Sequence, residues 1–215
     1  MPDAKTEEIA SPDDQVPGAT AGAPGVTRKR PKPGERKVQI LQALASMLQQ
    51  PGGERITTAL LAARLEVSEA ALYRHFASKA QMFEGLIEFI EQSVFSLINQ
   101  ITAAEPQGDT AAMGTRQAAQ IVTMLMQFAE KNPGMSRVMV GDALVLENER
   151  LQQRMNLFFD KVEAALKQCL RASPAAEGSL VASIALAFVV GRLQRFVRSG
   201  FRRLPTDHLE LSLAR

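Results

Sequence analysis

Between residues 38 and 48 apolar side chains recur at three- and four-residue steps, at Val38, Leu41, Leu44, Ala45 and Leu48. That is the period of a helix with one buried face, and Pro51-Gly52-Gly53 stops it, so a helix is predicted over about 34–49. TTALLAARL (57–65) predicts a second, short helix with Thr57 at its N-cap, and the following Glu-Val-Ser predicts a tight turn. EAALYRHF (69–76) predicts a third helix behind Ser68, with Glu69 set favourably against the helix dipole and Leu72 and Phe76 as the buried edge. Ser78-Lys79-Ala80-Gln81 has the form of a capping box. It opens a long helix from 79 to about 103, lined by Phe83, Ile87, Ile90, Val94, Leu97, Ile98 and Ile101, with Phe89 on the other side. Further helices are predicted at about 110–131, 134–140, 142–171 and 178–202, separated by AEPQGD (104–109), Asn132-Pro133-Gly134 and SPAAEG (173–178). No segment alternates as a strand would, so the fold class is all-α.

Composition changes the picture mainly at the N-terminus. Residues 1–27 mix Pro, Gly, Ala, Asp and Glu without a hydrophobic period, which predicts a disordered tail. TRKRPKPGERK (27–37) then reads as a basic arm kept extended by Pro31 and Pro33. The expected organisation is a tail and arm over 1–30, a three-helix unit over 31–78, a helical body over 79–207 and a C-terminal tail over 208–215. The single Cys169 excludes a disulfide framework within the chain and, in an apolar helical stretch, reads as a small buried hydrophobe. No apolar segment follows the N-terminal charges as a secretory signal requires. The longest apolar run, LVASIALAFVVG (180–191), is shorter than the ~20 residues of a membrane-spanning helix and Arg192 follows at once. It reads as a buried or interface helix of a soluble, cytoplasmic protein.

The net charge of +2 hides an uneven distribution. Residues 1–27 carry one Lys and five acids, residues 28–82 carry ten Lys/Arg against four acids, and residues 83–215 are balanced. A basic block in one quarter of the chain points to a polyanionic partner. Two short helices within it, the second behind a Ser cap, describe a helix-turn-helix. In such a unit one side of the second helix is buried, and the other enters a major groove of ~12 Å that admits one helix. Helix N-termini and their hydroxyls grip phosphates, because their unpaired N–H groups and dipole favour an anion; Thr57, Thr58, Ser68 and Lys79 sit at such starts. Enzymatic readings find little support: there is no nucleophile motif, no carboxylate pair at useful spacing and no Gly-rich phosphate loop. His75 has no second ligand at helical spacing and His208 is far away in sequence, so neither a metal site nor a cofactor is expected.

ITTALLAARLEVSEAALYRHFASKAQMF (56–83) closely resembles the DNA-binding unit of the TetR family. Within that family, SEAALYRHFASK and MFEGLIEFIE are similar to the nucleoid occlusion branch, as are FAEKNPGMSRVMVGDAL (128–144), ERLQQRMNLFFDKVEAALKQ (149–168) and GRLQRFVRSGFRRLPTD (191–207). The resemblance covers about residues 36–207. It implies an all-helical TetR-like homodimer with two helix-turn-helix heads on a dimerisation and partner-binding body. It also implies binding to palindromic DNA sites across the chromosome and, when DNA-bound, antagonism of the tubulin-like division GTPase FtsZ, so that no septum closes over DNA. Neither metal nor small inducer is implied, and the Met- and Phe-rich interior reads as adaptable core. The alternative is a ligand-responsive TetR-type repressor acting at a few promoters.

The resemblance also assigns roles. Thr57 matches the hydroxyl such proteins need for operator binding. Ser68, Glu69, Ala70 and Ala71 are expected near base edges, the small Ala side chains against thymine methyls. Tyr73, His75 and Lys79 are expected at backbone phosphates. The FtsZ tail would dock between the long helix and the next, on Phe89, Met124, Gln127, Lys131 and Asn132. The chain departs from its relatives here at Leu97, where they can carry a basic residue, and at Gln127, where they can carry Gly. The dimer would use the helices around 142–171 and 178–202, packing IALAFVV against its mate. Arg192, Arg195, Arg198, Arg202 and Arg203 form a basic strip, read as a solvated face or interface rim, with an anionic partner as the alternative.

Overall fold

Each helix start predicted from a polar cap is made by that cap. In a computed structural model that describes residues 34–51, 53–103 and 109–213, the Thr57 hydroxyl accepts from the Leu60 N–H (3.2 Å) and the Ser68 hydroxyl from the Ala71 N–H (3.3 Å). The Ser78 hydroxyl accepts from the Gln81 N–H (3.2 Å). Gln81 returns the bond one residue further upstream than in a standard capping box, accepting from the Ala77 N–H at 2.9 Å. These caps start α2 (Thr58–Arg64), α3 (Glu69–Tyr73) and α4 (Lys79–Thr102), after α1 (Glu35–Leu48). Asp109 caps α5 (Thr110–Lys131) and Asn148 caps α7 (Glu149–Cys169). Between them lies α6 (Pro133–Met139), and α8 (Ala175–Arg198) and α9 (Leu209–Leu213) complete the order. No strand occurs among the described residues. The fold is all-helical, as expected. The expected tail, most of the basic arm and most of the AEPQGD break lie outside the described residues.

One continuous apolar core runs through the unit. Ile40, Leu44 and Leu48 of α1 meet Leu61, Leu72 and Phe76 in the head, and Ile87, Ile90 and Val94 of α4 carry the core into the body. There Ile121, Val122 and Leu125 of α5 meet Met155, Phe158 and Val162 of α7 and Val189 and Leu193 of α8. Each such side chain contributes about 1.5–3 kcal/mol on burial, so head and body are held by the same term. Cys169 is buried in this core, and burial pushes its thiol up from the usual range, away from thiolate chemistry.

Two features fasten the head. Gly134 of α6 approaches α1 so closely that a Cβ there would lie 1.9 Å from the Ala45 carbonyl oxygen. Beside it, the buried Arg137 donates from Nη1 to the Gln50 carbonyl just after α1 (3.2 Å), pairs through Nε with Asp142 (3.4 Å) and lies 5.2 Å from the centre of the Phe201 ring. Further along, Lys79, Glu84 and Glu91 of α4 pair in turn with Glu147, Arg150 and Arg154. Its hydrogen bond to Glu91 outweighs burial and raises the Arg154 pKa above its ordinary value. The last two pairs join α4 to α7 and the first joins it to the residues just before α7; partly exposed pairs of this kind each contribute little.

Several expectations are corrected. Val38 is exposed and Ile40 is in the core, because the fully buried stripe of α1 steps through Ile40, Leu44 and Leu48, and residue 38 lies off it. The predicted third helix to residue 76 ends at Tyr73, although Phe76 stays buried. The helix expected over 142–171 is a short 3-10 turn (Asp142–Leu144), an exposed Val145-Leu146 pair and then α7. The helix expected over 178–202 runs from Ala175 to Arg198. It is closed by a Schellman motif: the Gly200 N–H bonds the Val197 carbonyl (3.0 Å) and the Phe201 N–H bonds the Phe196 carbonyl (2.9 Å). The Phe201 ring packs on Phe196 at 5.2 Å, the apolar contact that accompanies this motif. The region expected as a C-terminal tail contains α9, anchored by buried Leu209.

A second Schellman motif ends α2, with Glu66 N–H to Ala63 carbonyl (3.1 Å) and Val67 N–H to Ala62 carbonyl (3.0 Å). Its left-handed residue is Glu66 (φ 54°), where glycine carries no steric cost. Glu66→Gly is therefore expected to stabilise the fold by about 1 kcal/mol, the left-handed penalty less the added freedom of the unfolded chain. A thermal melt shifted upward by roughly 2–4 °C checks it; a lowered melting temperature contradicts it.

Candidate nucleic-acid interface

The turn closed at Glu66 sets α3 across α2, and the exposed side of the pair carries most of the expected contact residues. Thr57, Ser68, Glu69, Ala70 and Tyr73 are exposed, whereas Thr58, Ala71, His75 and Lys79 are half-buried. Tyr73 is 44% exposed, high for an aromatic ring, while Leu72 beside it is 1% exposed. One side of α3 is thus in the core and the other is open to a ligand, as a reading helix requires.

Three of these residues bond to one another. The Thr58 hydroxyl donates to the Glu69 carboxylate (2.5 Å), and the Tyr73 phenol donates to Thr58 Oγ1 (3.5 Å). This chain braces α2 against α3 and gives Glu69 a partner within the protein, so its first task is to hold the angle between the helices. Ala70 is left as the open position at the start of α3. Lys79 is engaged as well, through the Glu147 carboxylate at 2.5 Å, which ties the start of α4 to the body. Exposed Lys37, Arg64 and Arg74 join the head surface. Arg74 lies on the open face expected of the third helix, and the signal for Lys37 and Arg64 in the sequence is the local charge of the basic block.

The positions expected to receive a partner peptide lie on α4 and α5. Phe89 is 47% exposed rather than in the core, Gln127 and Lys131 are exposed, and Met124 is half-buried against the core. Asn132 ends α5, its side-chain amide donating to the Phe128 carbonyl at 2.7 Å. Leu97, on the same helix as Phe89, is exposed as well.

A capped helix pair with one open face, preceded in sequence by a basic arm and set on a larger helical body, defines a helix-turn-helix DNA-binding regulator. Residues 40–86 match the family described as bacterial regulatory proteins, tetR family, and residues 115–214 the tetracyclin repressor-like C-terminal domain of SlmA-like type. Nucleoid occlusion factor SlmA of Shewanella sediminis (strain HAW-EB3) is 50% identical over 182 residues, 81% of this chain and 89% of that protein. The protein of the same name from Shewanella pealeana (strain ATCC 700345 / ANG-SQ1) is 51% identical over 180 residues, 80% of this chain and 88% of that protein. Among solved structures, a transcriptional regulator from Rhodococcus sp. Rha1 shares the fold with a TM-score of 0.64 at 21% identity, over 82% of this chain and 91% of that one. The fatty acid degradation regulator FadR from Bacillus halodurans does so with a TM-score of 0.66 at 13% identity, over 86% and 95%. The chain belongs to the nucleoid occlusion factor SlmA group of the TetR family. It is a DNA-binding protein and not an enzyme.

Proposed function

We propose that this protein, when bound to its chromosomal sites, inhibits assembly of FtsZ and so keeps the division septum off the nucleoid, where it resides in the cytoplasm. The observation that carries the reading is the roughly 50% identity to SlmA-named proteins over about four-fifths of the chain, body included. An outward Phe89 on α4, with Gln127 and Lys131 outward on α5, supports a docking place for the FtsZ tail. The test is polymerisation of purified FtsZ, followed by light scattering, with the protein and its cognate duplex added singly and together. Reduced assembly only when both are present is expected; unchanged assembly with the full complex defeats the proposal. Site occupancy across the chromosome, rather than at one or two promoters, separates it from ordinary repression.

The reading includes contact of the head with DNA. Thr57→Ala removes the hydroxyl that caps α2 and meets phosphate, so affinity for cognate DNA is expected to fall about tenfold, with the cap itself costing about 1 kcal/mol of stability. Unchanged affinity in a mobility-shift titration excludes Thr57 from the contact.

The reading also includes a homodimer. On α8, Leu180, Val181 and Ile184 are exposed by 49–60%, and Leu157 on α7 by 57%. Against the expectation from its short apolar run, helix α8 as a whole is long and apolar enough to span a membrane by length and composition, with 28% of its most apolar stretch buried within the single chain. The neighbouring outward Leu157 of α7 favours a second copy of these two helices as the cover, packed as a four-helix interface. Leu180→Ala is expected to raise the dimer dissociation constant about tenfold, since truncating a buried interface side chain costs over 1 kcal/mol. Sedimentation equilibrium reads this directly, and an unchanged dimer places the interface elsewhere.

A further inference from the structure

We propose that the concavity at the C-terminal end of α8 binds a small polyphosphate anion. It encloses about 440 Å³, and its walls include Phe188, Arg192, Arg195, Arg203, Asp207 and His208. That volume is in the range of small-molecule sites, roughly 300–1,000 Å³. Three arginines and a single acid thus line one hollow. Among the described residues none of the three has a carboxylate within ion-pair distance.

Local contacts hold the cations in place. Arg192 lies over the Phe188 ring, 5.0 Å from its centre, and donates to the Ser212 hydroxyl at 3.4 Å. Arg203 is brought back toward the helix by the turn at Gly200 and Phe201, both left-handed. The Ser199 hydroxyl secures that turn by accepting from the N–H groups of Arg202 (3.1 Å) and Arg203 (2.9 Å). A cation in the last turn of a helix complements its dipole, which accounts for Arg195. Arg192, more than a turn from the end, and Arg203, past it, are outside that effect.

The excess of charge selects the ligand. A guanidinium presents a planar fork of donors that matches phosphate oxygens two at a time. One phosphoryl group carries about two negative charges and engages one or two such forks. Linked phosphoryl groups carry more charge and have the length to reach all three. A duplex presents convex rows of phosphates, which fit ridges better than a hollow.

Isothermal titration of the full chain with inorganic tripolyphosphate, in about 0.1 M salt, tests the assignment. Saturable binding at one site per chain is expected, weakened at least tenfold in Arg192→Gln/Arg203→Gln and unchanged in Arg171→Gln, an exposed arginine outside the hollow. Arg192 and Arg195 come about three turns after Val181 and Ile184 and share their side of α8, so sedimentation equilibrium checks that the double variant is still a dimer, and Arg203→Gln replaces it if it dissociates. Exposed Arg203→Gln alone, expected to bind several-fold more weakly, serves if the double variant does not fold. No saturable binding, or equal binding by the double variant, overturns the proposal. So does dependence on Arg192 and Arg203 seen with duplex DNA or phosphatidylglycerol vesicles but not with tripolyphosphate.

Discussion

Ala70→Glu is expected to lower affinity for cognate duplex DNA at least about a hundredfold, while leaving the head as stable as before or slightly more so. The two effects have opposite signs because they arise from different surroundings. Within the protein, residue 70 is in the first turn of α3 and exposed, where a carboxylate is favoured by the helix dipole and clashes with nothing. On the proposed reading the same side chain meets the edge of a phosphate-lined groove, where a like charge costs several kcal/mol. Glu69, next to it, differs in that the Thr58 hydroxyl holds its carboxylate toward α2 (2.5 Å), a restraint residue 70 does not have. Thermal melts paired with mobility-shift titrations separate the two. Retained DNA affinity in a stably folded variant removes α3 from the groove.

Gly134→Ala has the largest expected effect on stability. The added methyl would lie 1.9 Å from the Ala45 carbonyl oxygen and 3.2 Å from Leu48 Cβ, so α6 and α1 must part. Overpacking of this kind costs about 3 kcal/mol, and for a chain of this size that corresponds to a melting temperature lower by roughly 6–12 °C. Backbone against backbone leaves no flexible side chain to yield. DNA affinity should fall too, because α1 carries the head. A melt within 2 °C of wild type, by the same scale about 1 kcal/mol, contradicts the close approach.

Local chemistry was readable in the residues, and distant packing much less so. Thr57, Ser68 and Ser78 cap within three residues of themselves, so their roles were visible before any fold was known. The helix-turn-helix rests on those caps and on Leu72 and Phe76, and it was legible with them. Where α8 ends depends on Gly200 turning left-handed and on Phe201 finding Phe196, a contact that periodicity does not register. The stretch 142–148 misled for a similar reason. Its Ala-Leu-Val-Leu run has a helical look, but Val145 and Leu146 are 74% and 72% exposed, and the true start is the Asn148 cap. The resemblance places Glu69 near base edges and Lys79 at a backbone phosphate, and neither local pattern shows that each has a partner within the chain. Their partners, Thr58 and Glu147, are 11 and 68 residues away, beyond the reach of any local pattern.

Arg137 touches a carbonyl that follows α1, a carboxylate that follows α6 and an aromatic ring that follows α8. One rigid cation thus belongs to the head, to the body and to the turn that carries Arg203. Linkage through such a group is reciprocal: a ligand that favours one placement of the turn, and through it one placement of the head, changes DNA affinity by the factor that DNA changes its own. A change at any one of these three contacts therefore bears on the other two through the same side chain.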